Sequence, residues 1–250
     1  MTIARTSELQ GKVAIITGAG KGIGRAIAVA YARAGAQVCC AARTLADIET
    51  VRDQIVAEGG QAIAVATDVR SRAQIDHMVA QTIHAFGGLD IMFINAGMGG
   101  GRIPLESLDA QSWADIMDTN LNGAFHCLQA AIAPLKIRGA GKILALGSGL
   151  GHNGQPGTGP YAASKAGLWS LVRVAAQELA QYNISVNELV PGPVVTSLNT
   201  AVSAAQKHAN GPGGEWIKQP EDVTPLAVLM AAMPDVGPTA QSYSLMRRAV

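Results

Sequence analysis

Short apolar runs alternate with longer amphipathic segments along the whole chain. The first run, Val13–Thr17, precedes a segment in which Ile27, Tyr31 and Ala34 recur at helical spacing before Gly35. The same criteria predict helices at Gly22–Ala34, Leu45–Glu58, Ser71–Phe86, Asp109–Ile137, Pro160–Tyr182 and Asp222–Met233. They predict strands at Val13–Thr17, Val38–Ala42, Ile63–Thr67, Leu89–Ile94, Lys142–Leu146, Ile184–Val190 and, as a candidate seventh, Ser242–Met246.

Strands that alternate with helices indicate an α/β fold. We expect a doubly wound, Rossmann-type parallel sheet of about seven strands flanked by helices, with right-handed crossovers. No linker divides the 250 residues, so a single domain, 1–250, is expected. Thr44 and Asp47 begin the second helix as a capping-box variant. Residues 197–218 show neither the helical nor the strand periodicity of apolar residues, and they contain Gly211-Pro212-Gly213-Gly214. We therefore expect a substrate lid there.

Composition excludes several classes of protein. The 19 Lys and Arg nearly balance the 18 Asp and Glu, and a net charge of +1 argues against nucleic-acid binding. No apolar run of ~18 residues predicts a membrane span, and the N-terminus lacks a secretory pattern, so a cytoplasmic location is expected. Cys39, Cys40 and Cys127 have no ligand-like spacing, so we expect reduced thiols and no metal site.

Glycine is concentrated in the turn between the first strand and the first helix. Without side chains, such a turn lets a phosphate approach backbone amides at a helix N-terminus. We therefore predict a pyrophosphate seat formed by Gly18, Gly20, Lys21, Gly22, Ile23 and Gly24. The spacing G-x3-G-x-G differs from G-x-G-x-x-G, and a tight strand-to-helix connection is the alternative interpretation.

Gly, Asn, Ser and charged residues recur at the carboxyl ends of the other strands, where open parallel sheets bind ligands. These residues are Ala42-Arg43, Asp68-Val69, Asn95-Ala96-Gly97, Ser148 and Pro191-Gly192. Ala42 stands where an acid would bind a ribose 2′-hydroxyl, whereas Arg43 and Lys21 suit a 2′-phosphate. The sequence therefore favours NADP(H) over NAD(H), although an arginine after a strand is often only solvated.

Tyr161 and Lys165 are four residues apart on a predicted helix and so share one face. A neighbouring ammonium favours the phenolate and lowers the tyrosine pKa, which makes Tyr161 a candidate general acid or base. Ser148 ends a strand and is expected to orient a substrate carbonyl, and Asn120 to hold a water that connects Lys165 to solvent. Tyr-x3-Lys alone is a weak signal, because such pairs are frequent on ordinary helices.

The glycine-rich turn, the strand-end residues and the pair Tyr161 and Lys165 follow one another in an order that resembles the short-chain dehydrogenase/reductase (SDR) family in its 250-residue form. The resemblance extends from about Leu9 to Pro234. The resemblance implies catalytic roles for Asn120, Ser148, Tyr161 and Lys165. It implies cofactor contacts by the turn at Thr17–Gly24 and by Asp68, Val69, Asn95, Ala96, Gly97, Tyr161, Lys165 (to the ribose), Pro191, Gly192, Val194 and Thr196. It also implies a homotetramer or homodimer. The chain departs from the family pattern in three places. Glu188 stands where a small residue is common, the loop 97–102 is rich in glycine, and the C-terminus differs.

Apolar residues predict one wall of a substrate site. Leu150, Trp216, Val194 and Leu198 suggest an apolar wall, and His152 and Asn153 are expected to be exposed loop residues. Ser148 and Tyr161 would bind the substrate with Leu150 and Trp216. We expect an NADP(H)-dependent oxidoreductase that reduces a ketone or a 3-oxoacyl group. An NAD-dependent secondary alcohol dehydrogenase and a non-catalytic NADP-binding regulator are the alternatives.

Overall fold

The computed structural model describes residues 8–196 and 216–246. Within these residues, one sheet contains strands β1 Val13–Thr17, β2 Gln37–Ala42, β3 Gln61–Ala66, β4 Ile91–Ile94, β5 Gly141–Leu146, β6 Ile184–Val190 and β7 Ser242–Ser244. Their order is β3-β2-β1-β4-β5-β6-β7, and every neighbouring pair is parallel. The order reverses between β1 and β4, which opens a ligand crevice at their carboxyl ends. The predicted fold class is confirmed.

The helices connect the strands and cover both faces of the sheet. They are α1 Gly22–Arg33, α2 Leu45–Ala57, α3 Arg72–Phe86, α4 Ala110–Met117, α5 Gly123–Arg138, α6 Gly149–Asn153, α7 Gly159–Leu179 and α8 Thr224–Ala232. Short 3-10 turns occur at Leu105–Ser107, Ala180–Tyr182 and Pro220–Val223. None of the helices in the two described ranges is long and apolar enough to span a membrane.

Local structure departs from the predictions at two helices. Thr44 begins α2 without the predicted capping-box bond, because the Asp47 carboxylate lies 3.0 Å from Lys21 Nζ instead. The predicted helix Asp109–Ile137 contains a π-helical turn, Asp118–Asn122, between α4 and α5. Such turns often mark functional sites, and this one carries Asn120. The five-residue helix α6 was not predicted.

Both faces of the central strands are buried. Ile16 and Phe93 face the layer of α1, α2 and α8, whereas Ile15 and Met92 face α3, α5 and α7. All four side chains are fully buried, and burial of each stabilises the fold by about 1.5–3 kcal/mol. A strand buried on both faces has no polar alternation, which explains the continuous apolar runs in the sequence.

Tyr31 connects α1 to the sheet and to α8. Its fully buried ring meets Phe93 edge-on at a centroid distance of 6.2 Å, and its hydroxyl donates to the carbonyl oxygen of Ala227 at 3.0 Å. The residue therefore combines an aromatic contact with a buried hydrogen bond between elements far apart in the chain.

We expect Tyr31→Phe to lower the free energy of unfolding by about 1 kcal/mol, because the ring contacts remain while a buried hydrogen bond is lost. Denaturant unfolding should show a lower midpoint with an unchanged slope. Tyr182→Phe is the matched control, since Tyr182 is 38% exposed, and its effect should stay within about 0.5 kcal/mol. Equal midpoints for Tyr31→Phe and the unsubstituted protein would contradict the assignment.

Candidate active site

The glycine-rich turn is held open by its contact with the end of β4. The Asn95 amide donates to the carbonyl oxygens of Thr17 and Gly18 at 2.9 and 3.2 Å, and Thr17 Oγ1 accepts from the backbone of Asn95 and Ala96. A Cβ on Gly24 would lie 2.8 Å from the carbonyl carbon of Gly18, inside any real contact. Gly24 therefore lets the start of α1 pack directly on the turn, and the amides at this junction would form the cradle of a pyrophosphate seat.

Gly18 and Gly22 are the two glycines of this turn with left-handed backbone, at φ of 66° and 55°. Lys21 precedes α1 in an extended conformation and caps no amide with its side chain, so first-turn N–H groups face the crevice. Thr196 lies against Gly22, where a Cβ would come 3.2 Å from its Cγ2. The segment after β6 thus reaches the turn through Thr196, and cofactor contacts by Pro191, Gly192, Val194 and Thr196 stay a prediction.

The residues predicted to bind the adenosine half lie at the ends of β2 and β3. Arg43 is exposed after β2, and Lys21 pairs with Asp47 at the surface. Arg70 makes a two-nitrogen bond to the Asp68 carboxylate and holds the pKa of Asp68 below its usual range. Val69 packs under α5, and Ala96 and Gly97 follow β4. These predicted cofactor residues thus lie at the carboxyl ends of neighbouring strands.

The predicted catalytic side chains meet beyond the end of β5. Lys165 Nζ donates to the carbonyl oxygen of Leu146 at 2.7 Å and lies 5.9 Å from the centre of the Tyr161 ring. Ser148 follows β5 and begins α6, where its Oγ accepts from the amide of Leu150 at 3.2 Å. Burial raises the pKa of Tyr161, and a hydrogen bond with Ser148 opposes that rise. The three side chains therefore form one interacting group.

Lys165 is the buried cation of this group, with only 5% of its surface exposed. Burial lowers its pKa to about 8, because the ammonium loses hydration, and the nearby Glu188 carboxylate opposes the shift. The charge of Lys165 is therefore sensitive to pH near neutrality.

Asn120 is fully buried in the π-helical turn, and its side chain is occupied by protein atoms. Oδ1 accepts from the amide of Met98 at 2.8 Å, and Nδ2 donates to the carbonyl of Met98 at 2.9 Å and to Ser164 Oγ at 3.2 Å. Asn120 thus ties the loop after β4 to α7. The predicted contact of Asn120 with a relay water stays a prediction.

The predicted substrate wall is only partly described. Leu150 is half-buried and Trp216 is 44% exposed, with the Lys218 ammonium 4.5 Å from its ring centre. Leu198 and most of the predicted lid, 197–215, lie outside the described residues. A cavity of about 510 Å³ opens at the start of α7, the helix that carries Tyr161, and the sequence did not predict it. Its lining includes Arg102, Pro104, Leu105, Gln155, Pro156 and Gly157.

Glu188 and His152 form a second buried group behind Ser148. His152 lies on α6 with 13% of its side chain exposed, its Nε2 3.3 Å from Glu188 Oε2 and its ring edge-on to Trp169. The prediction of an exposed loop position was therefore wrong for His152, because α6 turns its ring inward. Asn153 is exposed, as predicted. The acid within an apolar strand was the signal that could have pointed to this group.

The order of the strands and the crevice between β1 and β4 define a protein of the doubly wound α/β class. Residues 12–207 match the family described as short chain dehydrogenase. The chain belongs to the short-chain dehydrogenase/reductase family and is an oxidoreductase acting on CH–OH or C=O groups. Within the described ranges, no group of three or more His, Cys, Asp or Glu side chains is arranged to hold a metal ion.

Relatives of the chain support the same assignment. It is 36% identical over 193 residues to the 3-oxoacyl-(acyl-carrier-protein) reductase FabG of Staphylococcus aureus strain Mu50, covering 77% of this chain and 78% of that protein. It is 37% identical over 199 residues to a short-chain dehydrogenase/reductase of Armillaria gallica, covering 78% and 76%. A crystal structure of a short-chain type dehydrogenase/reductase from Mycobacterium marinum superposes with a TM-score of 0.86 at 34% identity, covering 94% of each chain.

Proposed function

We propose that this protein is an NADP(H)-dependent carbonyl reductase that acts on a ketone or a 3-oxoacyl group. The observation that carries the proposal is the group Ser148, Tyr161 and Lys165 at the end of β5, beside a glycine cradle suited to a pyrophosphate. The name of the Staphylococcus aureus relative supports a 3-oxoacyl substrate, and the apolar Pro104, Leu105 and Pro156 of the cavity at the start of α7 suit an acyl or alkyl chain.

In this proposal each side chain acts at a defined atom. Bound nicotinamide would supply the hydride that reduces the carbonyl carbon. Tyr161 Oη donates its proton to the carbonyl oxygen, and Ser148 Oγ holds that oxygen in place. The Lys165 ammonium stabilises the phenolate left on Tyr161, which then recovers a proton from solvent. Asn120 fixes the loop and the helix around this route and would hold the water that connects Lys165 to solvent.

The cofactor preference rests on charge at the end of β2. Arg43 is exposed there and Ala42 supplies no carboxylate, so a 2′-phosphate meets a cation rather than an acid. Lys21 lies beside the same space and would exchange its partner Asp47 for the phosphate. Asp68, with Val69, would contact the adenine.

The assembly and location are also proposals. Trp113, Phe125 and Val174 are exposed apolar side chains on α4, α5 and α7, at 40%, 40% and 49%. Such side chains on neighbouring helices suit a face between copies of the chain, and we propose a homotetramer or a homodimer. A balanced charge and reduced cysteines are compatible with the cytoplasm.

We expect Tyr161→Phe to reduce kcat for ketone reduction about a thousandfold, because the general acid is removed while the ring remains. NADPH affinity, measured by fluorescence titration, should change less than about threefold, since the phenol contributes little to ground-state binding. Tyr182→Phe, at the surface, should leave both values unchanged. Full turnover in Tyr161→Phe would refute the assignment of the acid.

We expect Arg43→Asp to weaken NADPH binding by about tenfold or more and to leave NADH binding nearly unchanged, because a charge-assisted bond to a 2′-phosphate is replaced by repulsion. Dissociation constants for both cofactors provide the measurement. Arg52→Asp is the control and makes the same charge change on α2, where Arg52 pairs with Glu49 and Asp53. This variant should change the binding of NADPH and of NADH about equally. Equal losses for the two cofactors would contradict the role of Arg43.

We expect Gly24→Ala to weaken binding of both cofactors by about tenfold or more, because the added methyl group displaces Gly18 and Asn95 and closes the cradle. Gly139→Ala is the control. Gly139 has a φ of 76° at the end of α5 with nothing near its Cβ position, so the variant should lose stability without losing affinity. Unchanged affinity in folded Gly24→Ala would place the nucleotide elsewhere.

A further inference from the structure

Glu188 is a fully buried carboxylate in the middle of β6, paired in register with Ala145 of β5. A buried carboxylate costs several kcal/mol unless its oxygens are compensated, so an acid in this strand needs a physical reason. Its side chain faces α6 and α7 rather than solvent, on the side of the sheet that carries Lys165.

The hydrogen-bonding partners of Glu188 lie on one of its two carboxyl oxygens. Arg173 can only donate, and its Nη2 donates to Ser242 Oγ at 3.3 Å. Ser242 Oγ donates to Glu188 Oε2, and His152 Nε2 lies 3.3 Å from the same oxygen. Oε2 thus has hydrogen-bonding partners on both β7 and α6.

The second oxygen, Oε1, has no hydrogen-bond partner among the described residues. It lies against Gly147, where a Cβ would come 2.5 Å from Cδ of Glu188. Gly147 stands between Leu146, whose carbonyl binds Lys165 Nζ at 2.7 Å, and Ser148. The uncompensated oxygen therefore lies beside the strand end that holds the ammonium of Lys165.

The ionisable groups that face Glu188 are His152 on α6 and Lys165 and Arg173 on α7. Arg173 acts through Ser242 and is stacked on the Trp169 ring at 3.9 Å, so it is already engaged. His152 binds Oε2. Lys165 is the one of these three whose charge the proposed reaction uses, and the Glu188 carboxylate raises its pKa against the effect of burial.

We propose that Glu188 is a positioning residue, held by His152 and Ser242, whose negative charge keeps Lys165 protonated in the buried site and thereby sets the upper pH limit of reduction. The role of Lys165 in turnover belongs to the proposed function, on which this inference rests. The effect on the charge of Lys165 does not depend on turnover and is measurable without it.

The test compares Glu188→Gln with the unsubstituted protein. Glutamine keeps the shape and loses the charge, so we expect the pKa of Lys165 to fall by about one unit or more. Lysine labelled with carbon-13 at Cε reports this by NMR titration without cofactor, and Lys165→Met identifies the resonance. The alkaline limb of kcat/KM for NADPH-dependent ketone reduction should move to lower pH by a similar amount, because this parameter reports the free enzyme.

Ser242→Ala is the matched control, since it removes a hydrogen bond of the same carboxylate and keeps its charge. We expect a shift of less than about 0.3 units in that variant. If Glu188→Gln does not fold, Glu188→Ala removes the same charge with room for water and should give the same shift.

The outcomes separate the two proposals. An unmoved Lys165 resonance titration in a folded Glu188 variant would overturn the role of Glu188, whatever the activity. A shifted titration with no ketone reduction by the unsubstituted protein would support the role of Glu188 and refute the proposed function. A loss of activity equal at all pH values, with the titration unmoved, would show a merely structural role and overturn the inference.

Discussion

The bond of the Asn95 amide to the carbonyls of Thr17 and Gly18 is the contact on which the site depends. It joins the ends of β1 and β4, the two strands between which the sheet order reverses, and keeps the glycine turn from closing onto β4. The neighbouring backbone of β4 completes the brace through Thr17 Oγ1. Because the turn, α1 and the loop after β4 all start from this junction, its geometry determines the space that a dinucleotide would occupy.

Much of the fold follows from the apolar pattern, because strands buried on both faces, such as β1 and β4, leave an unmistakable run of apolar residues. Tyr161 and Lys165 were predictable as a pair, since helical spacing alone brings them together. Contacts between distant segments were not: nothing local shows that Lys165 binds Leu146, that Asn120 is occupied by Met98, or that Asp47 turns from Thr44 to Lys21. His152 was misassigned because a five-residue helix has too few positions to show a period.

Charge is distributed unevenly around the site. The crevice at the end of β1 presents backbone amides and the exposed cation Arg43, which suits an anionic ligand. On the α7 side of the sheet, in contrast, Lys165 and the Glu188 carboxylate are buried, where low polarity makes each charge strongly felt by the other. The charges at the crevice suit recognition of an anionic ligand, whereas the buried charges suit control of protonation. Strand β5 and Ser148 separate the two groups of charges.

The contact between Gly147 and Glu188 makes these two positions interdependent. A methyl group at position 147 would overlap the carboxylate, so Gly147 can gain a side chain only after Glu188 has been shortened. Shortening Glu188 first leaves only a small space against a glycine, whereas substituting Gly147 first creates the overlap. The order in which positions 147 and 188 are substituted therefore matters. A library that varies only one of the two positions will under-represent sequences that the fold accepts when both change.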